Sequence, residues 1–179
     1  MTQQNYNNLP DGKIVEAVIN DDHSAFKSLY YRYFPALFRF AWYRLHSADT
    51  AGDLIQELFF KIWIKRHNLK PDKSIKAYLY KSLNNLIINH SKLSFTKTGS
   101  IEDMKAGGSF INEINNQDLK IDLEREIQKL PEKIKTVYIL SRVEGYKYSE
   151  IAEICSISIK AVEKRMSKAF NILRRIFNE

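Results

Sequence analysis

The stretch YSEIAEICSISIKAVEKRMSKAFNILRRI, residues 148–176, decides the fold of this 179-residue chain. Tyr148 to Cys155 is a short amphipathic segment, Ser156-Ile157-Ser158 interrupts it, and a longer segment begins at Ile159. That order matches a helix-turn-helix. Ala152 is small enough for a second helix to cross the first closely, and Ile157 can bury the turn. Ser158 can cap the incoming helix, and Val162 is spaced to pack back onto Ile151 and Ala152. Val162, Met166, Ala169, Leu173 and Ile176 then form one apolar stripe at helical spacing. The remaining faces carry Lys160, Lys164, Arg165, Ser167, Lys168, Asn171, Arg174 and Arg175. A cationic face that also bears an amide suits the major groove of duplex DNA, where phosphate contacts give affinity and base edges give specificity. The plainer alternative is a helical hairpin with solvated lysines. Two features depart from the motif. Ser156 stands where such turns usually take glycine. Glu163 puts an acid on the reading face, either to accept from a cytosine amino group or to pair with Lys160 or Lys164.

Outward from this motif the pattern stays helical. Either Asp22 or Ser24 caps a helix with apolar residues at Phe26, Leu29, Tyr30, Tyr33, Phe34, Leu37, Phe38 and Ala41, and Pro35 either kinks it or divides it. Either Ser47 or Asp49 opens a second helix, with Leu54, Ile55, Leu58, Phe59, Ile62 and Trp63 on one broad face. A basic loop from His67 to Ser74 leads to a third, with Ala77, Tyr78, Leu79, Leu83, Leu86, Ile87 and Ile88. From Ser94 to Asp118 the periodicity fails and three glycines intervene, which predicts a flexible linker. Leu119 to Leu130, Pro131 to Val143, Tyr148 to Cys155 and Ile159 to Phe177 read as four more helical segments. The expected fold is all-α: two small helical domains on a tether, the C-terminal one a helix-turn-helix.

Charge is distributed in blocks. Residues 61–97 hold nine Lys and Arg against Asp72 alone, residues 98–118 are net acidic, and residues 156–179 are basic again, within a chain of formal net charge +7. Two cationic zones of this kind are the footprint expected for a polyanion, nucleic acid first. The stretch Asp53-Leu-Ile-Gln-Glu-Leu-Phe-Phe-Lys-Ile-Trp63 adds a second type of surface. Asp53, Gln56, Glu57 and Lys61 share one helix face, and with Phe59 and Trp63 beside them they have the makings of a docking strip, charges for orientation and aromatics for adhesion.

The order Ala25-Phe-Lys-Ser-Leu-Tyr30, Asp53-Leu-Ile-Gln-Glu-Leu-Phe59, Ala77-Tyr-Leu-Tyr80 leading to Asn85, then a linker and Leu130-Pro131 ahead of Ser149-Glu-Ile-Ala152 and Lys160-Ala-Val-Glu163, resembles the extracytoplasmic-function sigma factors of bacterial RNA polymerase. The resemblance covers residues 10–178. It implies a region 2 domain over 10–93, a linker over 94–118 and a region 4 domain over 119–178. It further implies that the chain binds core polymerase and directs promoter-specific transcription initiation. Asp53, Gln56, Glu57, Phe59 and Trp63 would meet the β′ clamp helices, and the C-terminal domain the β flap. Lys73, Lys76, Tyr78, Lys81 and Asn85 would hold the opened minus-ten element. Ser158, Lys160, Lys164, Arg165, Ser167, Lys168 and Asn171 would read the minus-thirty-five element. An anti-sigma partner is expected, covering the same surfaces. Asn89 and Lys92 stand where the family often has an acid and a base, and Ala161 where it often has threonine.

Other chemistry finds little support. The four histidines are scattered, and Cys155 has no second thiol for a zinc site or a disulfide. Asp53 and Glu57 lack the glycine loop of a phosphate-binding enzyme. No enzymatic activity, cofactor, metal or small-molecule substrate is expected. No apolar run approaches the ~18 residues of a membrane span, and the polar start of the chain lacks a secretory signature, so a cytoplasmic location is expected. A free-standing DNA-binding regulator would account for the C-terminal motif but leaves residues 53–97 without a task. An RNA-binding helical protein would tolerate changes in duplex sequence.

Overall fold

The computed structural model describes Tyr6, residues 8–98 and residues 124–177, the side chains of 94–98 and 175–177 excepted. Every regular element among the described residues is helical. Contacts divide the chain into two units, one formed by residues 1–38 and 49–101, the other by 39–48 and 102–179.

Helix α1 (Asp11–Ile19) opens the first unit. Its signals are weak because it is short: Pro10 precedes it, Asp11 lies in its first turn, and Ile14, Val15 and Val18 are buried. Helix α2 (His23–Leu45) is capped by Asp22, whose Oδ1 accepts from the amides of Ser24 at 2.7 Å and Ala25 at 3.0 Å. The helix runs on through Pro35 rather than dividing there. Pro35 lies on the exposed side, where water can reach the carbonyl that its missing amide leaves free. Helix α3 (Ala48–Ile64) follows Ser47 and buries Leu54, Ile55, Leu58, Phe59 and Ile62. A 3₁₀ turn (Arg66–Asn68) and a short loop lead to α4 (Ile75–Thr98), which buries Ile75, Leu79, Tyr80, Leu83 and Ile87. Ala77 and Leu86 are half-buried, and Ile88 is exposed. Helix α4 reaches Thr98, five residues into the segment read as a linker; the rest of that segment, 99–118, lies outside the described residues.

In the second unit, residues 124–129 form α5, followed by α6 (Glu132–Tyr138), α7 (Tyr148–Cys155) and α8 (Ile159–Phe177). Pro131 precedes α6 without a donor to lose, as its place in the sequence suggests. The α-helical pattern expected as far as Val143 loosens after Tyr138 into a π-helical turn (Ile139–Val143). The Glu144 amide reaches back to the Ile139 carbonyl at 3.0 Å, and the Tyr146 amide to that of Leu140 at 2.9 Å. Gly145 supplies the φ of +70° that the reversal requires. The core gathers Phe40, Ala41, Val137, Leu140, Ile151, Val162, Met166 and Ala169. Arg44 and Glu132 add an ion pair at 2.8 Å, and Arg39 holds Glu144 in a two-pronged pair at 2.7 and 2.8 Å.

The turn between α7 and α8 closes as a helix C-cap. The Ser156 and Ile157 amides donate to the carbonyls of Glu153 and Ala152, at 3.2 and 3.0 Å, with Ser156 left-handed at φ 54° and ψ 48°. A left-handed non-glycine residue costs about 1–2 kcal/mol, whereas glycine's extra freedom when unfolded costs about 0.5–1. Ser156→Gly should therefore stabilise the second unit by up to about 1 kcal/mol, and Ser156→Val should weaken it. Urea unfolding followed through buried Trp42 in a Trp63→Phe background measures both. In the first unit, hydrogen bonds from the Tyr6 hydroxyl and then from the Ala25 amide hold the Asp22 carboxyl below its usual range. A depressed carboxylate stabilises above its unfolded pKa and loses that contribution as pH falls through the folded value. Asp22→Ala should cost about 1 kcal/mol at neutral pH. The gap to the parent should close below about pH 4 in thermal melts.

Candidate functional surfaces

Helix α3 presents a continuous polar and apolar strip. Asp53, Gln56, Glu57, Phe60, Lys61 and Ile64 are all exposed and recur at three- and four-residue spacing. Glu57 and Lys61 pair along the strip at 2.5 Å. Phe59 departs from expectation: it is 3% exposed and turned inward, its ring 4.8 Å from Tyr30 and 6.0 Å from Phe26. One position makes the difference, because neighbouring helical residues point about 100° apart. Phe60, 66% exposed, and Ile64, 59% exposed, supply the apolar part of the strip instead. The burial of Phe59 agrees with the helical spacing, which sets it on the apolar face with Leu58 and Ile62, and conflicts only with its place in an exposed strip. Trp63 is half-buried at the end of α3. Its ring lies 4.5 Å from His23 and 4.9 Å from Phe26, and the Arg66 guanidinium stands 4.4 Å over it.

Beyond the strip, the loop between α3 and α4 encloses a cavity of about 250 Å³, lined by Asn68, Leu69, Lys70, Lys73, Ser74, Ile75 and Tyr78. Local hydrogen bonds shape it. The Asn68 amide reaches the Lys65 carbonyl at 2.9 Å, and the Lys73 amide that of Lys70 at 3.0 Å across the turn holding Pro71 and Asp72. Ser74 caps α4, its hydroxyl accepting from the Ala77 amide at 3.1 Å. Of the residues expected at this surface, Lys73 and Tyr78 line the cavity, while Lys81 and Asn85 are exposed three and seven residues beyond Tyr78, on the same face of α4. Lys76 is half-buried and is not among the lining residues. Asn68, Lys70 and Ser74 line the cavity as well, within the loop from His67 to Ile75 that the family resemblance assigns to the minus-ten element. Their signal is a run of polar residues with a proline between two helices, which periodicity does not register.

On α8, Ser158, Lys160, Lys164, Ser167, Lys168 and Asn171 are exposed, as are Glu163 and Arg174. The Ser158 hydroxyl is engaged as the cap, accepting from the Ala161 amide at 3.2 Å. Arg165 is half-buried and close enough for its charge to act on Cys155. Burial dominates at that thiol and pushes its pKa up, with Arg165 and Arg44 opposing, so Cys155 is a protonated packing group. The apolar stripe is buried at Val162, Met166, Ala169 and Leu173; Ile176 lies among the side chains outside the description. Among the described residues no group of three His, Cys, Asp or Glu could hold a metal, and no helix is long and apolar enough to cross a membrane.

The family model for sigma-70 region 2 matches residues 29–92, and that for sigma-70, region 4 matches residues 120–173. The sigma-E factor of Haemophilus influenzae is 28% identical over 178 residues, covering 90% of this chain and 92% of that one. The sigma-E factor of Escherichia coli strain K12 is 26% identical over 175 residues, covering 90% and 91%. Among solved structures, the sigma factor RpoE in complex with the anti-sigma factor NepR, from Bartonella quintana, superposes with a TM-score of 0.71 at 25% identity, over 86% of this chain and 96% of that one. Two sigma-70 regions in this order, on one chain whose regular elements among the described residues are all helical and which the sigma-E factors match nearly end to end, place the protein in the extracytoplasmic-function class of the sigma-70 family.

Proposed function

We propose that this sigma factor docks on core RNA polymerase through the exposed strip of α3, seats an unpaired base of the minus-ten element in the cavity beside Tyr78, and reads the minus-thirty-five duplex with α8. The observation that carries the reading is the continuity of the first two surfaces. The strip ends at Ile64, and four residues later Asn68 begins the cavity lining. A polymerase held along the strip would deliver promoter DNA at the cavity mouth. At about 250 Å³ the cavity is smaller than the ~300–1,000 Å³ of clefts for drug-sized ligands, which suits one flat heterocycle. Tyr78 offers it a stacking face, Asn68 and Ser74 offer polar groups for a base edge, and Lys70, Lys73 and Lys81 follow the phosphates.

The mechanism is differential binding and includes no covalent step. Unstacking a base costs a few kcal/mol, and stacking on an aromatic side chain returns about 1–3 kcal/mol per base. Contacts available only to the separated strand thus favour the open complex without nucleotide hydrolysis. In the C-terminal unit, Lys160, Lys164 and Lys168 supply phosphate attraction, and Asn171 and Ser167 supply groups for base edges. Arg165, half-buried against α7, braces the reading helix and meets DNA with its outer face. The protein works in the cytoplasm with the polymerase, and an anti-sigma factor covers one or more of these surfaces when transcription is to be silent. The RpoE relative solved with its anti-sigma factor supports that partner.

The direct experiment is transcription in vitro with purified core polymerase on genomic fragments: defined start sites are expected, and an absence of site preference would overturn the proposal. Exposed Phe60 and buried Phe59 separate docking from folding. Phe60→Ala with Asp53→Ala should weaken core binding at least tenfold with melting unchanged, while Phe59→Ala should cost about 3–5 kcal/mol of stability. Equal core affinity in the Phe60 variant would move the docking surface elsewhere. Lys73→Ala should reduce the salt dependence of promoter binding by about one unit of log–log slope for all sequences. Asn171→Ala should instead relax preference at one minus-thirty-five position, by about 1–3 kcal/mol.

A further inference from the structure

We infer that α1 and the turn after it form the bracket that sets the shape of the base-holding loop, with Arg66, Asp21 and Gly12 as positioning residues that do not touch DNA. Neither family model reaches this segment, since the region 2 match begins at residue 29. Three observations converge on it. Arg66, where α3 gives way to the loop, donates through Nε to the Asp21 carboxylate and through Nη1 to the Trp63 carbonyl at 2.8 Å, with its guanidinium stacked 4.4 Å from the Trp63 ring. Asp21 presents that carboxylate from a left-handed backbone, φ 66°, in the turn between α1 and α2. At the other end of α1, a Cβ on Gly12 would stand 3.0 Å from the Pro71 carbonyl oxygen, so any larger residue there presses the loop outward by a few tenths of an ångström.

The bracket is itself anchored. Arg32 on α2 donates to the carbonyls of Leu9 at 2.9 Å and Tyr6 at 3.0 Å and to Asp11 at 2.7 Å, and the Tyr33 hydroxyl also donates to Asp11. The start of α1 is therefore fixed to the long helix behind it, and α1 packs against both the 3₁₀ turn and α4. Arg66 and Pro71 flank the cavity-lining residues Asn68, Leu69 and Lys70. The loop that lines the cavity is held from both sides by groups outside it. A site for one flat base depends on such outside support, because loop backbone on its own samples many shapes.

The inference rests on the cavity being the base site, and the experiment separates the two. Holoenzyme is titrated with a fluorescein-labelled single strand carrying the non-template minus-ten sequence of a promoter mapped in vitro. Gly12→Ala and Asp21→Ala should each lower affinity about tenfold, and Asp21→Asn, which keeps an acceptor and tolerates the left-handed backbone, should recover most of it. Alanine is the better helix former at position 12, so the melting temperature of Gly12→Ala should not fall. A lost affinity with stability kept distinguishes positioning from plain destabilisation. Tyr78→Ala serves as the control on the cavity. If it weakens the strand while Gly12→Ala and Asp21→Ala bind like the parent, the bracket is overturned and the base site stands. If Tyr78→Ala also binds like the parent, the base site is overturned and the bracket with it.

Discussion

The packing of α3 against α2 through aromatic rings is the constraint on which the first unit depends. Phe59 sits against Phe26 and Tyr30, and Trp63 against His23 and Phe26, one turn apart on α3. Two large rings seated one turn apart leave the helix no freedom to rotate about its axis, since a turn of one residue would expose both. The rotation so set aims Asp53, Gln56, Glu57, Phe60 and Ile64 at solvent in a single strip. It also fixes the direction in which the chain leaves α3, because Arg66 lies over the last of those rings. The exposed strip and the loop that lines the cavity thus share one mechanical origin.

Charge then works on a framework already set. The basic residues between α3 and α4 crowd a short loop, and Lys70 and Lys73 stand at the mouth of a cavity instead of spreading over a convex face. In the function proposed above, cations placed there would attract the backbone of a strand without specifying it, whereas Tyr78 and the amide of Asn68 would act only on a base that has left its stack. Affinity and selectivity for the open state would then come from different side chains. The basic face of α8 would divide its labour in the same way, with lysines for phosphates and Asn171 for base edges.

Local strain falls where the chain turns sharply. Ser156 adopts a left-handed backbone between α7 and α8, and Asp21 does so between α1 and α2. Asp21 has a partner, Arg66, whose hydrogen bond also holds its carboxyl below the usual range. Ser156 gains the two amide bonds that close the α7 C-terminus. In each case hydrogen bonds offset a backbone conformation that the side chain alone would disfavour.

Helix existence, the helix-turn-helix and the capping roles of Asp22 and Ser158 were legible in residue order because they depend on near neighbours. Spacings of three and four residues, and a hydroxyl or carboxylate just before them, act within a single turn. Helix α1 escaped that reading, being too short for its three apolar residues to establish a period. The π-helical turn after Tyr138 escaped it too, since it answers to Gly145 and the return of Tyr146 to Leu140 and not to its own composition. The ring contacts that take Phe59 out of the exposed strip and the cavity that joins Asn68 to Tyr78 depend on packing partners beyond the local helix. Periodicity assigns a residue to a face of its helix; only the neighbouring helix, by filling space on one side, makes that face the interior.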